Sequence, residues 1–268
     1  MKKISLLAFI VAALVVSVSS CKKDDDNGNN NDDHNNIDTI QNNPLSQQLG
    51  GSANVPSDAA GAFYAVDNVV ISDDLGTADT TSIGFGFAWF DSYTATKNGG
   101  DVSCQSVNLD ITNPFNNAQT LAWYYTLSNF IFYDQAVAAV DWNVTGNSAN
   151  SVPAFSYTDP TPFPGINWFN IPAVIDINNS LTVNFTNTNT NDGVFFTVAG
   201  DKGKFTKAGA ANATSVTFTS AELKQAAYEG GYQIGIQVMP VKISSHTVSG
   251  KKYYFVKQRA FAKGVVTQ

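Results

Sequence analysis

Ile83-Gly84-Phe85-Gly86-Phe87-Ala88-Trp89 sets a large apolar side chain at every second position. That period of two fits a strand with one buried face. It excludes an amphipathic helix, whose apolar positions recur every three to four residues. The pattern returns at 181–185 and 232–238, and in weaker or shorter form at 63–71, 102–111, 121–127, 194–198, 216–218, 241–247 and 253–256. Between Cys104 and Val107 the apolar phase slips by one residue, which predicts a bulge or a register break. Pro240 is expected to separate two runs.

The punctuation agrees with strands. Asn98-Gly99-Gly100-Asp101 and Asn191-Asp192-Gly193 each precede a predicted strand, and Ser249-Gly250-Lys251 is expected to close a C-terminal hairpin. One helix stands out. Thr219-Ser220-Ala221-Glu222 matches a capping box, good helix formers follow, and Glu229-Gly230-Gly231 stops the run. The expected fold is therefore all-β: an antiparallel immunoglobulin-like β-sandwich, one composite or two packed lobes, with one short helix near 220–228.

The N-terminus has a different character and is set aside before fold reasoning. Met1-Lys2-Lys3 is basic and residues 4–16 are apolar and uncharged. That stretch is shorter than the roughly 20 apolar residues that cross a bilayer. Small residues at 17–20 then lead to Cys21. Val18-Ser19-Ser20-Cys21 resembles the lipobox of bacterial lipoproteins, with Val18 where Leu is usual. The resemblance implies cleavage before Cys21, lipidation of its thiol and a permanent anchor. Lys22, Lys23, Asp24, Asp25 and Asp26 are similar to the lipoprotein export signal of Bacteroidetes-type bacteria, which implies display on the outer face of the outer membrane. The chain thus resembles the surface-exposed lipoproteins of such bacteria. The targeting motif covers a few residues and brings no activity with it. Asp38-Thr39-Ile40 resembles the short O-glycosylation motif of the same organisms, making Thr39 a candidate acceptor.

These readings divide the chain into a signal peptide (1–20), an Asn/Asp-rich tether (21–54), an N-terminal β lobe (55–145) and a C-terminal immunoglobulin-like lobe (146–268). The tether has almost no large apolar residue to offset the entropy of ordering. Residues 146–164, rich in Asn, Ser and Pro, read as a linker or long loop.

Charge and residue chemistry narrow the function classes. The formal net charge of −7 and a single arginine, Arg259, argue against a nucleic-acid partner, whose phosphates need clustered cations. Two cysteines give no zinc spacing, and with Cys21 lipidated none pairs with Cys104, which reads as a small buried hydrophobe. His34 reads as a tail residue and His246 as a strand residue. No GxSxG elbow or DxDxDG loop is present. No catalytic residue, metal site or cofactor is therefore assigned.

Three functions stay open. The first is a non-catalytic surface module that binds glycan or protein. Tyr124 and Trp168, in aromatic clusters on predicted strands, are its candidate ligand contacts. The second is a structural or adhesive surface protein without a small-molecule site. The third is a hydrolase with an aspartate site, which needs two facing carboxyl groups.

Overall fold

The computed structural model describes residues 58–72, 79–91, 96–112, 123–125, 139–187, 191–200 and 202–268. Among them the chain runs through β1 (Ala59–Ser72), β2 (Asp79–Phe90), β3 (Val102–Cys104), β4 (Val107–Asn108), β5 (Asp110–Thr112) and β6 (Trp123–Tyr125). It continues through β7 (Val140–Val144), β8 (Phe155–Asp159), β9 (Ile166–Asn170), β10 (Val174–Ile175), β11 (Leu181–Asn187) and β12 (Gly193–Gly200). Then follow β13 (Gly203–Gly209), β14 (Ser215–Phe218), the helix α1 (Ser220–Ala226), β15 (Gln233–Val248) and β16 (Lys251–Thr267).

The strands form three open sheets in an all-β sandwich. The largest has nine strands, in the order β13-β12-β15-β16-β1-β2-β6-β5, with β10 beside the end of β16. The other two run β14-β11-β9 and β4-β3-β7-β8. Pairing is antiparallel except at two ladders: β1 on β16 and β10 on β16 are parallel.

The long hairpin β15–β16 is the common layer of the molecule. Its turn residues Ser249 and Gly250 have φ of 52° and 76°. Two consecutive left-handed residues twist a two-residue turn in the sense that right-twisted strands need. Gln105 and Ser106, with φ of 49° and 64°, make a turn of the same kind between β3 and β4. The phase slip there, expected as a bulge or a register break, is a hairpin turn. Pro240 does not separate two strands either. β15 passes through it in constant register, and β16 has no partner in the ladder opposite Met239 and Pro240, where a proline has no N–H to donate.

Two hydrophobic cores lie under this shared layer. In one, Val183, Phe185, Val216 and Phe218 of the three-stranded sheet meet Phe196, Ile234, Ile236 and Val265 of the large sheet, with Leu223 of α1 closing the side. In the other, Cys104, Val140, Trp142 and Val144 of the four-stranded sheet meet Phe63, Phe90, Tyr253 and Phe255. Phe63 is the hub of this second core. Its ring stacks on Phe255 at 4.9 Å and 14° and meets Phe90, Trp142, Phe155 and Tyr253 edge-on. Such ring pairs add to the benefit of area burial.

The expected division at residue 145 does not separate the cores. β1 gives Phe63 and Ala65 to one and Val69 to the other, and β16 serves both. Nor is 146–164 a linker: it contains β8, and Val152 and Phe163 are buried in the second core. The sandwich is composite, with its strands interleaved along the chain.

Alternate residues of β16 face the covering sheets, and their order explains the change from one core to the next. Tyr253 and Phe255 belong to the second core and Phe261 and Val265 to the first, with Lys257 and Arg259 between them. Both cations meet buried acids. Arg259 Nε lies 2.8 Å from Asp67 Oδ2, and Lys257 Nζ lies 3.7 Å from Asp159 Oδ2. A charged waist therefore separates two apolar clusters.

The helix forms as the capping box requires. Thr219 Oγ1 accepts from the N–H of Glu222, and the Glu222 carboxylate accepts from the N–H of Thr219. Glu222 also holds Lys207 of β13 at 2.6 Å, which ties the helix to the edge of the large sheet.

Candidate functional site

The exposed aromatic surface of the described residues is concentrated where α1 returns to the large sheet. Tyr228 is 50% exposed and Tyr232 43%. They bracket Glu229-Gly230-Gly231. Gly230 and Gly231 have φ of 86° and 90°, a conformation that side chains disfavour, and a turn here brings the two tyrosines back together. Their ring centroids are 5.5 Å apart, with planes inclined at 51°.

A buried threonine fixes the turn from beneath. Thr267, 1% exposed at the end of β16, donates its hydroxyl to the carbonyl of Tyr228 (2.8 Å) and accepts from the N–H of Tyr232 (3.2 Å). The backbone of Thr267 adds bonds to Gly231 N–H (2.7 Å) and to the Tyr232 carbonyl (2.9 Å). Both tyrosines therefore stand on a braced backbone. Lys202 completes the surface. Its N–H bonds the carbonyl of Ala226, and its ammonium lies 5.4 Å from the Tyr228 ring centroid, within cation–π range. Lys224 and Glu229 form an exposed pair at 3.7 Å. The arrangement offers two apolar ring faces, phenolic hydroxyls and a cation, which suits stacking and hydrogen bonding. It offers no nucleophile beside a base.

The candidates drawn from the sequence lie elsewhere. Tyr124 is in β6, between β2 and β5, and Trp168 is in β9 opposite Thr186 of β11. These strands belong to different sheets, so the fold does not join the two residues on one strand ladder. Their side chains, like Cys21, Lys22, Lys23, Asp24, Asp25, Asp26 and Thr39, lie outside the described residues. In the sequence, Glu229-Gly230-Gly231 reads as a helix stop, which by itself gives Tyr228 and Tyr232 no functional signature of their own. The available signal is two tyrosines flanking a Gly-Gly turn at the exit of a capped helix.

The residues considered for catalysis have structural settings. Cys104 is buried, and desolvation, aided by the charge of Asp141, pushes its thiol far above the ordinary value. It is therefore no thiolate nucleophile at neutral pH. His246 stacks on Tyr157 at 4.7 Å and 17°. Asp58, Asp67, Asp91, Asp159, Asp192 and Glu222 each face a lysine or arginine. No group of three or more metal-ligating side chains gathers among the described residues. Two depressions stand out on the surface. One, of about 540 Å³, is lined by small and polar residues around Asn147 and Ser151. The other, of about 280 Å³, lies on the four-stranded sheet where Asp141, Asn143, Ser156 and Thr158 bond one another in cross-strand pairs. Neither is a closed cavity.

No family model matches the chain, and no curated protein matches its sequence. Among solved structures, the yeast delta-COP-I mu-homology domain complexed with a Dsl1 WxWxV peptide is 9% identical at a TM-score of 0.25, covering 78% of this chain and 97% of that one. The same yeast domain without the peptide gives 10% identity and a TM-score of 0.24 over the same shares. Likeness this low transfers neither fold nor function.

Proposed function

We propose that this protein is a lipid-anchored surface module that binds glycans without catalysis, through Tyr228 and Tyr232. The observation that carries this reading is the pair of half-exposed rings held by Thr267, with Lys202 beside them. Solvent-exposed rings on a braced turn can stack on the apolar face of a sugar with little ordering cost, and nearby polar groups orient its hydroxyls. The anchor rests on the lipobox-like Val18-Ser19-Ser20-Cys21, and the outward address on Lys22 to Asp26. Among the described residues, no helix is long and apolar enough to cross a membrane.

A glycan array probed with the purified full chain tests the binding. Tyr228→Ala and Tyr232→Ala are each expected to weaken the strongest hit about tenfold, equivalent to about 1.4 kcal/mol. Stability should stay within about 0.5 kcal/mol, as for exposed positions. An array without hits, or variants that bind as well as the parent, rejects the reading. The polar cross-strand pairs on the four-stranded sheet favour a second reading, an adhesive protein without a small-ligand site. Hits on protein surfaces alone would select it.

The anchor has a separate test. Cys21→Ala is expected to move the protein from the membrane to the soluble fraction and to remove its sensitivity to protease added outside intact cells. Unchanged partitioning counts against lipidation.

A further inference from the structure

We propose that Lys257 and Asp159 are the two halves of an intramolecular isopeptide cross-link, an amide between Lys257 Nζ and Asp159 Cγ. This bond staples the four-stranded sheet to the nine-stranded one and is independent of any ligand. Both side chains are 1% exposed, with Nζ 3.7 Å from Oδ2. Nζ is held in place by donating to the backbone carbonyls of Asp159, at 2.9 Å, and Thr161. The other carboxyl oxygen is fixed separately. Asp159 Oδ1 accepts from the N–H of Thr161 at 3.0 Å and from its hydroxyl at 2.7 Å. One oxygen thus faces the amine while its twin faces two donors, the arrangement that stabilises an oxyanion during acyl transfer.

The surroundings favour condensation over a lasting ion pair. The ring centroid of Phe163, a member of the second core, lies 5.6 Å from Nζ. Desolvation pulls the Lys257 ammonium below its ordinary value, so the neutral amine is more accessible than on a surface lysine. In low dielectric, moving one proton from Nζ to Oδ2 removes two charges at once.

The step balances without an added reagent. The ammonium proton passes to Oδ2. The Nζ lone pair attacks Cγ, and charge develops on Oδ1 against the two Thr161 donors. The Cγ–Oδ2 bond then breaks, and Oδ2 leaves as water with two of the three original ammonium protons. The third stays on the amide nitrogen, and no atom changes oxidation state. The bond closes a loop between positions 98 residues apart, and such a closure restricts the unfolded chain as a disulfide would.

Digestion of the purified full-length protein with trypsin and chymotrypsin, followed by mass spectrometry, tests the proposal. The expected product is a branched peptide that joins the Asp159 and Lys257 segments, lighter than their sum by one water, with no tryptic cleavage after Lys257. Lys257→Arg is expected to restore cleavage at that position and to abolish the branched peptide. Linear peptides of unmodified mass, cut after Lys257, overturn the proposal. Resistance to cleavage that persists in Lys257→Arg overturns it as well, since the protection then has another cause.

Discussion

Lys257→Met is expected to destabilise the domain by at least about 3–5 kcal/mol, the range for removing one partner of a buried pair, since the variant can form neither the ion pair nor the proposed amide. The substitution keeps most of the side-chain volume but strands the Asp159 carboxylate, 1% exposed, without its cation. It also leaves the carbonyls of Asp159 and Thr161 without the side-chain nitrogen that faces them. For a domain of this size the midpoint of thermal unfolding should fall by on the order of 10 °C. Urea unfolding monitored by tryptophan fluorescence measures the loss. The double variant Lys257→Met/Asp159→Leu should recover part of it, because no lone charge then remains in the interior. A single variant within about 1 kcal/mol of the parent would show that the waist contributes no net stability.

The second large effect is expected at Phe63. Phe63→Ala removes a fully buried ring that touches five aromatic neighbours, drawn from β1's own sheet and from β7 and β8. Phe→Ala changes in a close-packed core cost about 3–5 kcal/mol, partly as transfer and partly as a cavity that neighbours fill incompletely. Phe63→Leu should cost markedly less, because it leaves a smaller void. Equal losses for the two variants would mean that the ring contacts themselves carry the stability. A loss under about 1 kcal/mol for Phe63→Ala would remove Phe63 from its place as the hub of the second core.

Local features were legible in the sequence, and long-range ones were not. The Thr219–Glu222 capping box and the Ser249-Gly250 turn depend on neighbours within a few residues, and both form as read. The alternation at 83–89 and 181–185 likewise falls within β2 and β11, and that at 232–238 falls within β15 from Gln233 on. The parallel ladder from Ala59–Lys252 to Ile71–Lys263 joins the two ends of the described chain, and no short-range pattern encodes it. That ladder crosses the expected division at 145: β1, the first described strand, lies beside β16, the last. Pro240 misled for a related reason. A proline ends a lone strand, yet β15 is paired with β12 and β16 on both flanks, and its register survives the missing donor. Tyr124 and Trp168 are candidates because aromatics are abundant on strands, and a turn gives no such pattern. In Tyr228-Glu229-Gly230-Gly231-Tyr232, the glycines that stop a helix also turn two rings toward each other.

The parallel ladder has a mechanical meaning. Asp58, just ahead of β1, is fixed to Lys252 at 3.0 Å and to the Tyr254 hydroxyl at 2.9 Å, near the start of β16. The tyrosine pair hangs on Thr267, at the other end of the same strand. Fifteen residues of extended chain separate these points by about 50 Å. Were the chain anchored and ligand-bound as proposed, a pull between an attachment ahead of β1 and a ligand held near the end of β16 would act on two parallel strands from opposite ends. It would shear their hydrogen bonds together, whereas a hairpin pulled from one end peels open a bond at a time. The contact of Lys257 with Asp159, about a third of the way along β16, ties the sheet under tension to the four-stranded sheet, and the proposed amide would make that tie covalent. The parallel ladder would thus load many hydrogen bonds at once along the line in which a tethered surface protein feels force.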